Sequence, residues 1–394
     1  MTAKRFLAGI ASATRREIGR IATNAEYHAV MWWLPLSVIL FFAIFFSQEV
    51  VGALPVAVVD EDNSSLSRKA VSMIKATPQT ALVQEYADME SASIALLQGR
   101  AVGIIEFPNG FAKSILSGRS ADVVFYDSGA NISTNSLLAK GVHTAITSLG
   151  VGIALQRAEI EGVAPNKAMA KIMPIGVSTY GLFNPWLNYA YYVAPCFIVM
   201  ILVIATMLST IYAVGSELRY GTSTAWLRSG EGSLIGAVVG KLIPSTLSLW
   251  FLSVVAGILI FSIFGAPMQG SWGVLVAGTI ALIMAYQAVA LFVVAMTASF
   301  RLSLSLGGGY SVLAFTFSGV TFPTMAMLSW IQPLTMLFPY TYFMRLYIDQ
   351  AVRGSAWWLS MQDIAAMLLF CLLALLAFGR LKRVTINRKF WGRL

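Results

Sequence analysis

YYVAPCFIVMILVIATMLSTIYA, residues 191–213, contains no Asp, Glu, Lys or Arg. A helix rises about 1.5 Å per residue and a bilayer's apolar core is about 30 Å thick, so about 20 such residues cross it. The charge-free character extends over residues 172–216, 242–300 and 302–344. Over the 394 residues only 11% are charged and 57% are hydrophobic, whereas soluble proteins carry about 25% charged residues. We read the chain as an α-helical polytopic membrane protein with six transmembrane helices, at about Val30–Gln48 and near 191–213, 241–264, 273–298, 303–323 and 357–378. Gly265-Ala266-Pro267 supplies the turn between the third and fourth. The first span follows a charged segment and lacks a small-residue cleavage signal, so it reads as an anchor rather than a leader.

Lys and Arg mark the cytoplasmic flanks of spans. Lys4, Arg5, Arg15, Arg16 and Arg20 precede the first span, and Arg380, Lys382, Arg383, Arg388, Lys389 and Arg393 follow the last. Both termini are expected inside, which six spans satisfy, with residues 51–188 outside and the segment 214–240 inside. The net charge of +9 is mostly this bias, because residues 51–185 hold ten basic and eleven acidic side chains. That distribution leaves no nucleic-acid footprint. Residues 1–29 are expected to form a basic amphipathic helix along the inner membrane surface, with Leu7, Ile10, Ile18 and Ile21 near one stripe and Arg15, Arg16 and Arg20 on the other. A plain basic tail would satisfy the same orientation rule.

The segment 51–188 alternates short apolar runs with helical patterns: PVAVVD, a helix from about Ser64 to Ala76, ALVQEYA, a helix over Asp88–Gln98, AVGIIEF, a short helix after Pro108, and ADVVFYD. We read an inserted α/β extracytoplasmic domain. Asn63, Ser64 or Ser65 can cap its first helix and Asp88 its second. A helix of about 30 residues, Asn131–Glu161, follows. Asp60, Glu61 and Asp62 lack the spacing of a calcium loop and read as a solvated turn and cap. Asn131-Ile132-Ser133 matches a glycosylation acceptor, a pattern too short to be informative. Cys196 and Cys371 both lie in apolar runs, and the only histidines are His28 and His143. A disulfide framework, a His-rich metal site and a hydrolytic triad therefore have no support.

The order basic helix, one span, large outer α/β domain and five further spans resembles the permease subunit of a type 2 ABC exporter, in the subgroup with a large extracytoplasmic domain between the first and second spans. PVAVVDEDNSSLSR is similar to that family's opening of the outer domain, and AVGIIEFPNGFAKSILSG to its strand, Pro-x-Gly-Phe turn and helix. FNPWLNYAYYVAP is similar to its re-entry into the second span, Glu217-Leu218-Arg219-Tyr220-Gly221-Thr222 to its Glu-x-x-x-Gly-Thr cytoplasmic motif, and SGVTFP with LFPYTYF to its pattern near the outer face of the last spans. The resemblance implies a bacterial inner-membrane exporter subunit, not an enzyme by itself, that pairs with a second permease chain, identical or paralogous, and with ABC ATPase subunits. A periplasmic adaptor and an outer-membrane channel would complete a tripartite pump. This chain would bind no cofactor, with ATP and magnesium on the ATPase: its nearest Walker-like stretch, Gly236 to Leu242, is one residue short and lacks the Ser or Thr for magnesium.

Glu217, Arg219, Tyr220, Gly221, Thr222, Trp226, Leu227 and Arg228 combine charge with aromatic anchors, the residue types that carry interface energy. By resemblance they form the coupling helix that docks into the ATPase; positive-inside charge and a headgroup-level Trp are the bland alternative. Pro323, Pro333 and Pro339 prevent one regular span over 322–343. We expect short re-entrant helices at an outer gate formed by Phe322, Pro323, Phe338 and Pro339, with an ordinary outer loop as the alternative. Gly307, Gly308 and Gly309 permit either close helix approach or a flexible helix start. Spans two to five carry no deep charge, which disfavours an ion-coupled carrier. Their Met, Phe, Trp and Tyr content suits a hydrophobic or amphipathic cargo. The alternative function is a membrane-anchored receptor or envelope-assembly protein, for which six spans are more than anchoring needs.

Overall fold

The computed structural model describes residues 3–46, 52–80, 82–129, 132–172 and 188–392. It divides into two compact units, Met1–Glu49 with Leu187–Leu394, and Val50–Trp186. The chain begins with α1 (Ala3–Thr23). Asn24 caps α2 (Ala25–His28) by accepting from the Tyr27 amide at 3.1 Å, and a π turn over Ala29–Trp33 leads into α3 (Leu34–Phe45). The face that α1 buries is Gly9, Ala13 and Glu17, one row at i, i+4 and i+8. Of the expected apolar stripe, Leu7 and Ile18 stay exposed, whereas Ile10 and Ile21 are half-buried and Ile21 packs on the main core.

In the unit Val50–Trp186, β1 (Pro55–Asp60) is central in the order β2-β1-β3-β4. It pairs in parallel with β2 (Leu82–Tyr86) and β3 (Gly103–Phe107), with Val56 opposite both Val83 and Gly103, while β4 (Val124–Asp127) closes one edge antiparallel to β3. Val56 to Val59 have no solvent exposure. Both faces of β1 are covered: Val56 and Val58 pack with α4 (Ser65–Lys75) and α7 (Ile132–Ile160), and Ala57 and Val59 with α5 (Met89–Leu97). This explains the continuous apolar run PVAVVD, since a strand buried on both sides has no reason to alternate. The edge strand β4 is mostly exposed, with only Phe125 half-buried. Ser64 caps α4 in a reciprocal box with Ser67, and Asp88 caps α5. α6 (Phe111–Leu116) and α8 (Pro165–Ile172) complete the unit. The acidic turn is explained locally: Asp60 accepts from the Ser67 hydroxyl at 2.7 Å and Asp62 from the Ala112 amide at 3.0 Å, at the start of α6. Its Ser64 contact, followed by these amides, holds the Asp62 carboxyl below the usual carboxylate range.

The second part of the other unit comprises α9 (Tyr189–Arg219), α10 (Ser223–Ser229), α11 (Leu234–Ile258, continued by a π turn to Ile263), α12 (Trp272–Thr297), α13 (Phe300–Thr316), α14 (Pro339–Tyr347), α15 (Met361–Leu369) and α16 (Cys371–Ile386). α9 and α12 are the most enclosed, and their buried residues, such as Met207, Ile211, Tyr286 and Val294, form the main core. Arg380 on α16 donates to the carbonyls of Ala295 and Met296 at 2.8 and 2.9 Å, satisfying the otherwise unpaired end of α12.

Among the described residues, six helices are long and apolar enough to cross a membrane: Ala25–Phe45, Thr134–Ile160, Tyr191–Arg219, Leu234–Ile263, Trp272–Thr297 and Trp357–Ile386. Five coincide with expected spans. Thr134–Ile160 belongs to α7, whose Leu138, Val142, Ala145 and Leu149 cover the sheet, which accounts for its apolar content. The expected span 303–323 differs: its helix, α13, begins at Phe300 and ends at Thr316, 17 residues in all. Gly307 consequently lies mid-helix, where an added Cβ would collide with Ile211 and Met207 of α9. Close helix approach, not a flexible start, is what Gly307 provides. The last helix continues to Ile386, so part of the expected basic tail is helical.

Candidate coupling site

The segment 214–240 comprises the end of α9, the short α10 between two tight turns, and the start of α11. α9 stops because Gly221 adopts φ +66°, a left-handed conformation that side chains resist, and α10 starts directly after Thr222. A second turn contains Glu231 and Gly232, both at positive φ. Ser233 then caps α11 by accepting from the Gly236 amide at 3.0 Å. The Trp226 indole donates to the Ala237 carbonyl at 3.0 Å, which fixes α10 against α11.

Three ionised groups with at most 1% side-chain exposure meet behind this helix: Glu17 of α1, Glu217 of α9 and Lys241 of α11. The Lys241 ammonium donates to Glu17 Oε2 at 2.5 Å and to Glu217 Oε1 at 2.8 Å, and lies 5.1 Å from the Trp226 ring centre. Arg16 forms a fork on Glu217 at 2.5 and 3.0 Å, the planar pairing that a guanidinium favours. Arg20 bridges Glu217 at 2.7 Å and Glu17 at 3.1 Å and donates to Ser216 at 2.6 Å. Burial works against the Arg20 charge, but Glu17 and Glu217 outweigh it and raise its pKa above the ordinary value. Hydroxyls of Tyr27 and Thr222 complete the carboxylates' shells, with Tyr27 donating to Glu17 at 2.9 Å and Thr222 to Glu217.

The network is reachable because the backbones meet closely. A Cβ on Gly240 would stand 2.5 Å from the Ile10 carbonyl oxygen, and one on Gly9 would stand 2.6 Å from that of Gly230. Thr14 donates to the Gly240 carbonyl at 3.0 Å. The glycines of the Walker-like stretch thus lie in helix α11, where Gly240 admits α1.

Of the residues expected to dock, Glu217 and Trp226 are buried, at 0% and 1% exposure. Their polar groups bond inside the chain, Glu217 to Arg16, Arg20 and Lys241, and Trp226 to the Ala237 carbonyl. Tyr220, Thr222 and Arg228 are exposed, and Arg219 and Leu227 are half-buried. Arg219 lies 5.2 Å from the Tyr220 ring centre and 5.5 Å from that of Phe300. Thr224 and Ala225, also exposed on α10, were not singled out in the sequence. Neither were Glu17 and Lys241; the available signals were an acid within a basic helix and a cation in the second turn of an apolar one.

The expected outer-gate residues separate likewise. Residues 322–343 form two 3-10 turns, Thr324–Ala326 and Gln332–Leu337, before α14. Phe322 and Pro323 are exposed; Phe338 and Pro339 are buried. Phe338 stacks on Phe317 with ring centres 5.9 Å apart. Tyr310 donates to the Leu337 carbonyl and Tyr192 to that of Val320, both at 2.7 Å, while Tyr340 reaches the Cys196 carbonyl at 2.8 Å. Side-chain hydroxyls on regular helices therefore hold a segment that has little repeating backbone bonding of its own.

Comparison with curated proteins finds none that matches the chain. A family model described as an ABC-2 family transporter protein matches residues 29–380, a range that includes α10 and the broken segment before α14. The chain belongs to this ABC-2 transporter family, as a membrane permease component that works with ABC ATPase subunits.

Proposed function

We propose that the chain is the permease subunit of an exporter, moving a hydrophobic or amphipathic substrate outward across a bacterial inner membrane. Both termini and α10 face the cytoplasm, the α/β unit Val50–Trp186 lies outside, and two permease chains pair. ATP and magnesium are held by the separate ATPase. The observation that carries this reading is the buried ion network, which joins α1, α9 and α11 directly behind the exposed face of α10. Displacement of α10 must move the ends of both long helices, because Glu217 and Lys241 cannot separate without leaving buried charge unpaired. The docking face is then Tyr220, Thr222, Thr224 and Arg228, and the displaced element at the far end is the broken segment around Phe322 and Phe338.

The test is purification with the ATPase subunit. Arg228→Glu and Tyr220→Ala remove exposed contacts and should leave the permease folded while weakening co-purification and stimulated ATP hydrolysis; an interface hot spot is worth about 2 kcal/mol or more. Unchanged association and turnover in both variants would remove α10 from the mechanism.

A further inference from the structure

After α16 the chain turns back onto the coupling site. The Asn387 side chain accepts from the Lys389 amide at 3.1 Å and starts a 3-10 turn, Arg388–Phe390. The Gly392 amide then donates to the Leu218 carbonyl at 3.1 Å. That carbonyl belongs to the last turn of α9, where acceptors have no continuing helix to bond to. Trp391 lies against the turn that ends α9: a Cβ on Gly221 would stand 3.5 Å from the indole Cε3. Phe390 and Trp391 pack on the core that also holds Trp226 of α10 and Val384 of α16.

This seat brings Arg388 and Lys389 to the turn from which α10 starts. Lys382, Arg383, Arg388 and Lys389 are exposed, as is Arg228 on α10. Residues 214–240 and 380–392 contain only two acids, Glu217 and Glu231. Glu217 is enclosed by its own cations, which leaves Glu231 as the one exposed acid among them. Arg388 lies 5.8 Å from the Trp391 ring centre, and arginine beside an aromatic ring is a pairing enriched at protein interfaces. Orientation in the membrane explains cations near the inner surface. It does not require the tail to bond to the end of α9.

We infer that residues 387–392 and the end of α16 form, together with α10, one basic docking surface for an acidic face of the ABC ATPase subunit. This rests on the reading of α10 as the docking helix and adds the chemistry of its partner. Exposed charge of one sign speeds the encounter with a surface of the other sign, and it does so in a salt-dependent way. Because the tail and α10 share the Gly221 turn, a partner that touches both bears on the end of α9 directly.

The test uses the full chain in nanodiscs, with the purified ATPase subunit and a photoactivatable benzoylphenylalanine at Arg388, at Arg228 or at Leu376, which is exposed in the middle of α16. Probes at both arginines should capture the ATPase, and the probe at Leu376 should not. Arg383→Glu combined with Arg388→Glu should keep the melting temperature and slow association by about tenfold. The deficit should shrink at about 1 M salt, where screening acts within about 3 Å. If Arg388→Glu loosens the tail and melts lower, Arg383→Glu alone, on the helix before the seat, carries the same comparison. Capture from position 228 but not from 388, with association unchanged in the variants, would overturn the role of the tail and leave α10 standing. Capture from neither would remove the docking helix and this inference together. A defect seen in discs containing phosphatidylglycerol but absent in discs of phosphatidylcholine would mean that the tail grips anionic headgroups, which would also overturn the assignment.

Discussion

Lys241→Met tests whether the charges behind α10 are as desolvated as their burial implies. The substitution keeps the length and apolar stem of the side chain but removes the cation that touches both Glu17, at 2.5 Å, and Glu217, at 2.8 Å. At an effective dielectric constant of about 20, each contact has a gross attraction of about 6 kcal/mol. Desolvation offsets most of that in the intact network, whereas removing one partner strands the others, a change that costs about 3–5 kcal/mol. At about 2–4 °C per kcal/mol for a unit of 150–250 residues, the melting temperature in detergent should fall by about 6–20 °C. Glu17→Gln in the same chain removes one stranded carboxylate and leaves Glu217 with both arginines, so the double variant should melt well above Lys241→Met alone. A single variant within about 1 kcal/mol of the parent, the range of exposed ion pairs, with no gain in the double variant, would refute the reasoning.

Reporters fused at Gly129, at Ser229 and after Leu394 should read extracytoplasmic, cytoplasmic and cytoplasmic; a Ser229 fusion reading outside would remove both the orientation and the coupling role. Single cysteines at Phe322 and Phe338, with Cys196 and Cys371 replaced, should differ: Phe322 should label freely with a water-soluble thiol reagent, and Phe338, 6% exposed, only when the broken segment lifts. Equal Phe338 labelling in nucleotide-free and ATP-trapped complexes of a cycling ATPase would mean a static surface element. The lowered pKa of Asp62 means that its contribution is complete above the ordinary value of 3.8 and is lost as pH falls through the lower folded value. Asp62→Asn should therefore raise hydrogen exchange at the Ala112 amide at neutral pH, with the difference from the parent shrinking in acid; no difference at neutral pH would show the contact to be incidental.

The elements visible in the sequence are those whose cause is local. β1 and β3 lie within apolar runs bounded by charge or glycine, and Ser64 and Asp88 occupy the caps because a side-chain oxygen two or three residues ahead of a free amide can satisfy it. The end of α13 differs from the expected 323 for the opposite reason: hydropathy stays high through Val320, but the chain leaves the helix after Thr316, and the Val320 carbonyl is taken by Tyr192, 128 positions away. Gly307 could be read either way until Ile211 and Met207 were placed beside it. In an apolar sequence the composition says that residues are in the membrane, while the ends of helices depend on partners from elsewhere in the chain.

The residues expected to dock illustrate the same division within one motif. Glu217 and Arg228 are both charged, with opposite sign, and lie eleven positions apart, and a residue-type reading treats both as surface contacts. Glu217 instead meets Arg16, Arg20 and Lys241, the nearest of them 24 positions away in sequence. A carboxylate with no solvent exposure can be kept ionised only by such a shell, and once surrounded it has no capacity left for a docking partner. A charge reversal at Glu217 would therefore place four cations together and unfold the element, reporting on its seating and not on docking. Substitution at Arg228 leaves that shell intact, which is why the exposed cation, and not the motif's glutamate, is the position where loss of coupling can be separated from loss of structure.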